Sequence, residues 1–137
     1  MRERTLVLIK PDAMMKGIHA EIMERYKNAG LKIINQFAFV FQAARASEFY
    51  KEHRGQPFFE GLVLAMASGP IMALCLEGED AIALVRKLNG ATNPREAEPG
   101  TIQHDFRSAG GPFNIVHASD SQEAYDREMV LMARYRP

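Results

Sequence analysis

The chain has 137 residues, and its 17 lysines and arginines balance 17 aspartates and glutamates to a formal net charge of zero. That length sets the expectation of one domain over residues 1–137, and the lack of a basic excess argues against a dedicated nucleic-acid partner. An apolar share of 47% excludes an acidic disordered chain, while a single cysteine, Cys75, excludes an internal disulfide framework and fits a reducing compartment.

Residues 5–9 form a β-type run that Lys10 and Pro11 cut short, too early for a signal peptide. Residues 19–29 read as a helix with Ile18, Ile22, Tyr26 and Ala29 on one stripe and Gly30 as its stop. Residues 31–41 alternate: Leu31, Ile33, Phe37, Phe39 and Phe41 share one phase, which predicts a long half-buried strand. Ser47 is placed to cap a short helix through Phe49 and Tyr50. A second helix follows Pro57, with Phe58, Leu62, Val63 and Met66 on one side, and ends at Gly69-Pro70. The uncharged stretch 61–76 is broken there and is shorter than the roughly 20 residues of a spanning helix, so a cytoplasmic protein without a membrane segment is expected.

Residues 71–76 are a further strand candidate. Glu79 and Asp80 suit the first turn of a helix that carries Ile82, Val85 and Leu88 and stops near Gly90. Residues 89–112 then form a long turn-rich connection of the kind that is usually functional. Residues 115–118 read as a short strand. Asp120-Ser121-Gln122-Glu123 starts the last helix, whose stripe is Tyr125, Met129 and Met132. The expected fold class is α+β: a ferredoxin-like, split βαβ sandwich. Its four-stranded antiparallel sheet is covered by helices, with a long loop before the last strand.

Three side chains stand out. His117 ends a strand just before a helix cap, a position that is often only a satisfied histidine. Glu128, however, falls on the apolar stripe of the last helix, and a buried carboxylate needs a partner. A helix folding back on its strand brings Glu128 to His117, and that hydrogen bond fixes the tautomer and leaves the other ring nitrogen as a nucleophile. Lys10 and Arg86 are the other candidates, each also readable as a solvated or snorkelling cation. The histidines His19, His53, His104 and His117 show no metal-ligand spacing, and Cys75 reads as buried core.

The octapeptide Asn114-Ile115-Val116-His117-Ala118-Ser119-Asp120-Ser121 resembles the active-site signature of nucleoside diphosphate kinases. The likeness runs collinearly through Lys10-Pro11-Asp12, Tyr50 with His53, Pro57-Phe58-Phe59, Ser68-Gly69-Pro70, Gly90-Ala91-Thr92-Asn93-Pro94 and Pro99-Gly100-Thr101-Ile102. It implies a ping-pong phosphoryl shuttle from a nucleoside triphosphate to a nucleoside diphosphate, through a phosphohistidine on His117. By the same resemblance Glu128 orients His117 and Ser119 supports Glu128. Lys10, Arg86 and Thr92 contact phosphate, Tyr50 lines the phosphate end, Asn114 meets the sugar hydroxyls, and Phe58 stacks on the base with Leu62 behind it. Mg²⁺ is carried in with the nucleotide phosphates, and no protein metal site is implied. The resemblance also implies a homo-oligomer, with a hexamer favoured and a tetramer possible.

The chain departs from that pattern at Gln103, where the resemblance implies a phosphate-binding arginine; His104 follows it. A neutral amide supplies neither the charge nor the bidentate fork. Restoring arginine at position 103 is therefore expected to raise kcat/KM, unless Arg107 or His104 compensates. A weakened or inactive relative, acting as a nucleotide-binding or scaffold protein, is the alternative reading. The segment between Phe106 and Asn114 is about one residue longer than the pattern. An RNA-binding module is disfavoured because Phe37, Phe39 and Phe41 lack basic neighbours. A Ser119–His117–Asp120 hydrolase is disfavoured because no Gly-x-Ser-x-Gly elbow exists.

Overall fold

The computed structural model describes residues 1–107 and 114–135. Its elements are β1 (Arg2–Ile9), α1 (Pro11–Met15), α2 (His19–Asn28), β2 (Lys32–Phe39), α3 (Ala43–Phe49), α4 (Phe59–Met66), β3 (Ile71–Glu79), α5 (Ala81–Asn89), α6 (Ile102–Asp105), β4 (Val116–Ala118) and α7 (Gln122–Met132). The strands form one four-stranded sheet in the order β2-β3-β1-β4, and every neighbouring pair is antiparallel. This is the expected ferredoxin-like α+β architecture.

The second half of β1, Leu6 to Ile9, reads as an unbroken apolar run because both of its faces are covered. Leu6 and Leu8 join Phe39, Phe49, Met66 and Met132 on the face packed by α3, α4 and α7. Val7 and Ile9 join Ile22, Tyr26, Val85 and Ile102 on the opposite face, packed by α2, α5 and α6. Complete burial of one such aliphatic side chain contributes about 1.5–3 kcal/mol, and Leu6, Val7, Leu8 and Ile9 are all at most 1% exposed.

Several local expectations change. The supposed single phase of residues 31–41 is broken by a bulge: Ile33 pairs with Leu76, but the next registered pair is Asn35 with Cys75. The extra residue, Ile34, turns the remainder of β2 over. Leu31 and Ile33 therefore pack with Leu76, while Phe37, Phe39 and Phe41 pack on the opposite face. Pro11 does more than end β1. It opens α1, because proline at the first helical position surrenders no bonded N–H. Ser47 lies inside α3 rather than at its cap. Glu79 ends β3, and Asp80 adopts a left-handed conformation (φ 48°) before α5 begins at Ala81. The long connection contains the short helix α6, capped by Thr101, whose Oγ1 accepts the His104 N–H. Residues 108–112 of that connection, and with them the extra residue before Asn114, lie outside the described residues.

The stop at Gly30 is as expected. Leu31 N–H bonds to Tyr26 O and Gly30 N–H to Lys27 O, with Gly30 at φ +94°. Edge strand β4 is set by Leu8 pairing with His117 and by the Ser119 N–H bond to Leu6 O at 3.0 Å. These contacts hold the middle of β4 against the buried half of β1.

Candidate active site

The last strand and the helix after it supply the centre. His117 and Glu128 are 11 positions apart, and Ser121 caps α7 by accepting the Ala124 N–H at 3.0 Å. The chain turns back there, and the imidazole Nε2 comes 3.0 Å from Glu128 Oε2. Glu128 is 2% exposed, and its second oxygen accepts the Ser119 hydroxyl at 2.7 Å. Ser119 in turn accepts the Leu6 N–H at 3.3 Å. An ionised carboxylate offers only acceptors, so the contact fits the tautomer in which Nε2–H donates to Glu128 and the lone pair stays on Nδ1. The rings of Phe49 and Tyr50 meet the imidazole edge-on, at 5.0 and 5.8 Å between centroids, and restrict its plane.

His117 opens into a cleft of about 1370 Å³. Lys10, Tyr50, Phe58, Leu62, Arg86, Thr92, Gln103, Asn114 and Glu128 line the same cleft, so the structure gathers these sequence candidates around one space. Ser119 stands behind Glu128, as its bond requires.

Lys10 follows β1 at the start of α1, is 8% exposed, and donates to Asn114 Oδ1. Burial lowers its ammonium pKa to about 8. Tyr50 ends α3; its hydroxyl is buried and has no hydrogen-bond partner among the described residues. Burial, aided by the nearby Glu128 charge, pushes that phenol well above its ordinary range. Phe58 leads into α4 and is 44% exposed, whereas Leu62, one turn on, is buried. Arg86 comes from the last turn of α5.

Gln103 is not an open position. It is 2% exposed; its Nε2 donates to Val116 O at 3.1 Å, and its Oε1 accepts the Ile115 N–H at 2.9 Å. The amide thus braces the two residues that lead into His117. α6 is itself held in place: Asp105 accepts from Arg25 at 2.8 Å and from the Gly100 N–H at 3.0 Å. Its bond with His104, then those from Gly100 and Arg25, hold the Asp105 carboxyl well below the usual range. Gly90 permits the close approach of the cleft rim to α6, since a Cβ there would stand 2.6 Å from Thr101 Oγ1.

His53 is the residue that sequence reasoning passed over as a site component. Its ring stacks on Tyr50 at 6.2 Å, lies 5.6 Å from Phe58, and lines the cleft. Tyr50-x-x-His53 spacing places two side chains on one face of a turn and is the signal that would have found it. Arg95 and Glu52 also line the cleft.

The fold and site together are those of an α+β sandwich whose edge strand presents a carboxylate-bound imidazole to a large cleft that Lys10, Arg86, Arg95 and Arg107 share with four carboxylates. The family model described as nucleoside diphosphate kinase matches residues 3–135. A nucleoside diphosphate kinase of Staphylothermus marinus is 50% identical over 127 residues, covering 93% of this chain and 89% of that protein. One from Methanocaldococcus jannaschii is 45% identical over 131 residues, covering 96% and 93%. Among solved structures, the nucleoside diphosphate kinase of Aquifex aeolicus superposes with a TM-score of 0.88 at 42% identity, covering 96% of this chain and 95% of that one. The Halobacterium salinarum enzyme, in complex with CDP, gives 0.84 at 38% identity, covering 96% and 87%. The chain belongs to the nucleoside diphosphate kinase family.

Proposed function

We propose that this chain transfers the terminal phosphoryl group of a nucleoside triphosphate to a nucleoside diphosphate through a phosphohistidine on His117. Membership of the family makes it a phosphotransferase acting on nucleotides. The observation that carries the residue assignment is the 3.0 Å contact between His117 Nε2 and Glu128 Oε2 at the wall of the cleft that Lys10 and Arg86 also line.

Nδ1 attacks the terminal phosphorus as the bond to the bridging oxygen breaks, and the diphosphate leaves with that electron pair. Glu128 accepts the Nε2–H bond and stabilises the positive charge that the ring gains. A second diphosphate then takes the phosphoryl group by the reverse displacement. Lys10, Arg86 and Thr92 hold phosphate oxygens, Asn114 reaches the sugar, and Tyr50 offers its unpartnered hydroxyl at the phosphate end. Positioning and charge neutralisation are most of what such a transfer needs. Phe58 stacks on the base over Leu62, a contact that every base can make.

Mg²⁺ belongs to the substrate in this reading. Among the described residues no three His, Cys, Asp or Glu side chains are grouped to hold a metal, and Glu128 is occupied by His117 and Ser119. The ion enters on the phosphates and shares their charge with Lys10 and Arg86. The chain is a homo-oligomer, a hexamer before a tetramer; a monomer mass by light scattering would contradict both. No helix among the described residues is long and apolar enough to cross a membrane.

The inert-scaffold alternative is not favoured, because Gln103 leaves the His117–Glu128–Ser119 chain of bonds intact. Initial rates at several ATP concentrations, with the acceptor diphosphate varied, test the reading. Parallel double-reciprocal lines are expected; intersecting lines would contradict a phosphoenzyme route.

A further inference from the structure

With the amide of Gln103 committed to Ile115 and Val116, the cation nearest in sequence that lines the cleft is Arg107. It lies four positions beyond Gln103, one helical turn on, where the chain leaves α6. The guanidinium is exposed and has no carboxylate partner among the described residues. Its Nη1 donates to the His104 carbonyl at 2.7 Å and rests 3.2 Å from the His104 ring. That carbonyl ends a short helix, and arginine there satisfies a free acceptor. The contact engages one nitrogen of a group with five N–H donors, and its acceptor is neutral.

A polyphosphate is a stronger acceptor than a peptide carbonyl, and charge-assisted pairs are shorter and about twice as strong as neutral ones. The anchoring of α6 through Thr101, Gly100 and Arg25 keeps the base of the Arg107 side chain fixed while its long arm can turn. We propose that Arg107 is the cation that α6 contributes to the nucleotide polyphosphate, leaving the His104 carbonyl to take a phosphate oxygen when nucleotide binds. Gln103 in α6 and Arg107 just beyond its end thereby divide two tasks: the buried amide braces the strand that carries His117, and the exposed guanidinium supplies charge. The inference rests on the cleft being the nucleotide site.

Calorimetric titration of the full chain with Mg-ADP, AMP and adenosine tests it. Arg107→Ala is expected to weaken Mg-ADP binding about 10- to 100-fold, the range of one charge-assisted contact. Adenosine binding should stay within about twofold, and Arg107→Lys should recover part of the loss. Because Arg107 is exposed and the bond it gives up is to one neutral carbonyl, the ligand-free melting temperature should fall only slightly. Mg-ADP affinity unchanged in Arg107→Ala would overturn the proposal, and so would an equal loss for adenosine, which carries no phosphate. The readout is affinity, not transfer. A wild-type chain that binds Mg-ADP but never labels His117 would refute the shuttle and leave the Arg107 comparison standing.

Discussion

Glu128 meets the Nε2 of His117 with one oxygen at 3.0 Å and accepts the Ser119 hydroxyl with the other at 2.7 Å. Both carboxylate oxygens are therefore engaged in orienting one imidazole from inside the protein. Glu128→Gln keeps the shape and removes the charge. Its amide can still accept from Nε2, but it no longer stabilises the positive ring. The rate of phosphoenzyme formation is expected to fall about 100-fold, the order lost when one preorganised group facing a developing charge is removed, with ADP affinity little changed. Rapid-quench labelling beside ADP titration separates the two effects. An unchanged labelling rate would show that Glu128 is only a packing group.

Gln103 holds Ile115 N–H at 2.9 Å and Val116 O at 3.1 Å. Gln103→Ala leaves both groups buried and unpaired, at a cost of about 1–3 kcal/mol for each, which thermal melting reads as a drop of several degrees. Arginine can replace the donor to Val116 but has no acceptor for the Ile115 N–H. The expectation drawn from sequence, that arginine at 103 raises kcat/KM, is accordingly reversed: Gln103→Arg should melt lower and gain no activity. A variant that melts with the wild type and turns over faster would contradict the bracing role.

Burial lowers the Lys10 ammonium from 10.5 to about 8. Below about pH 8 the charged amine is buried at a cost. Between that value and the unfolded pKa the unfolded chain binds more protons, so this group makes stability rise with pH across the interval. The full difference corresponds to about 3 kcal/mol. Ligand affinity moves the opposite way, because the neutral amine no longer attracts phosphate. Mg-ADP affinity is expected to fall from pH 7.5 to 9, and Lys10→Met should lose that limb while binding more weakly throughout. A wild-type affinity that is flat over this range would contradict a titrating Lys10 at the phosphates.

Phe58 is 44% exposed over buried Leu62. Base stacking contributes about 1–3 kcal/mol, so Phe58→Ala should raise KM for ADP, GDP, CDP and UDP by similar factors and leave kcat nearly unchanged. Loss confined to the purine diphosphates would point to a base-specific contact instead.

The site was legible because its chemistry sits in short motifs at the ends of regular elements. His117 and Glu128 follow from one strand–cap–helix unit and Lys10 from the end of an apolar run, whereas Ser119 came from the family resemblance alone. The β2 bulge at Ile34 was not legible, since Leu31, Ile33, Phe37, Phe39 and Phe41 keep spacings of two or four residues whether or not the strand turns over between them. α6 was hidden in turn-forming residues, as a four-residue helix offers too little periodicity to detect. The bracing bonds of Gln103 were not legible either: its partners are backbone groups of Ile115 and Val116, and backbone partners leave no mark in a side-chain pattern.

The central claim is that His117 carries the phosphoryl group. The full chain is incubated with γ-labelled ATP and Mg²⁺, then chased with an excess of a different nucleoside diphosphate. A shuttle through His117 requires an acid-labile label on the protein that vanishes on chase and reappears on the added nucleotide, and that is absent from His117→Ala. Label persisting in His117→Ala would contradict it.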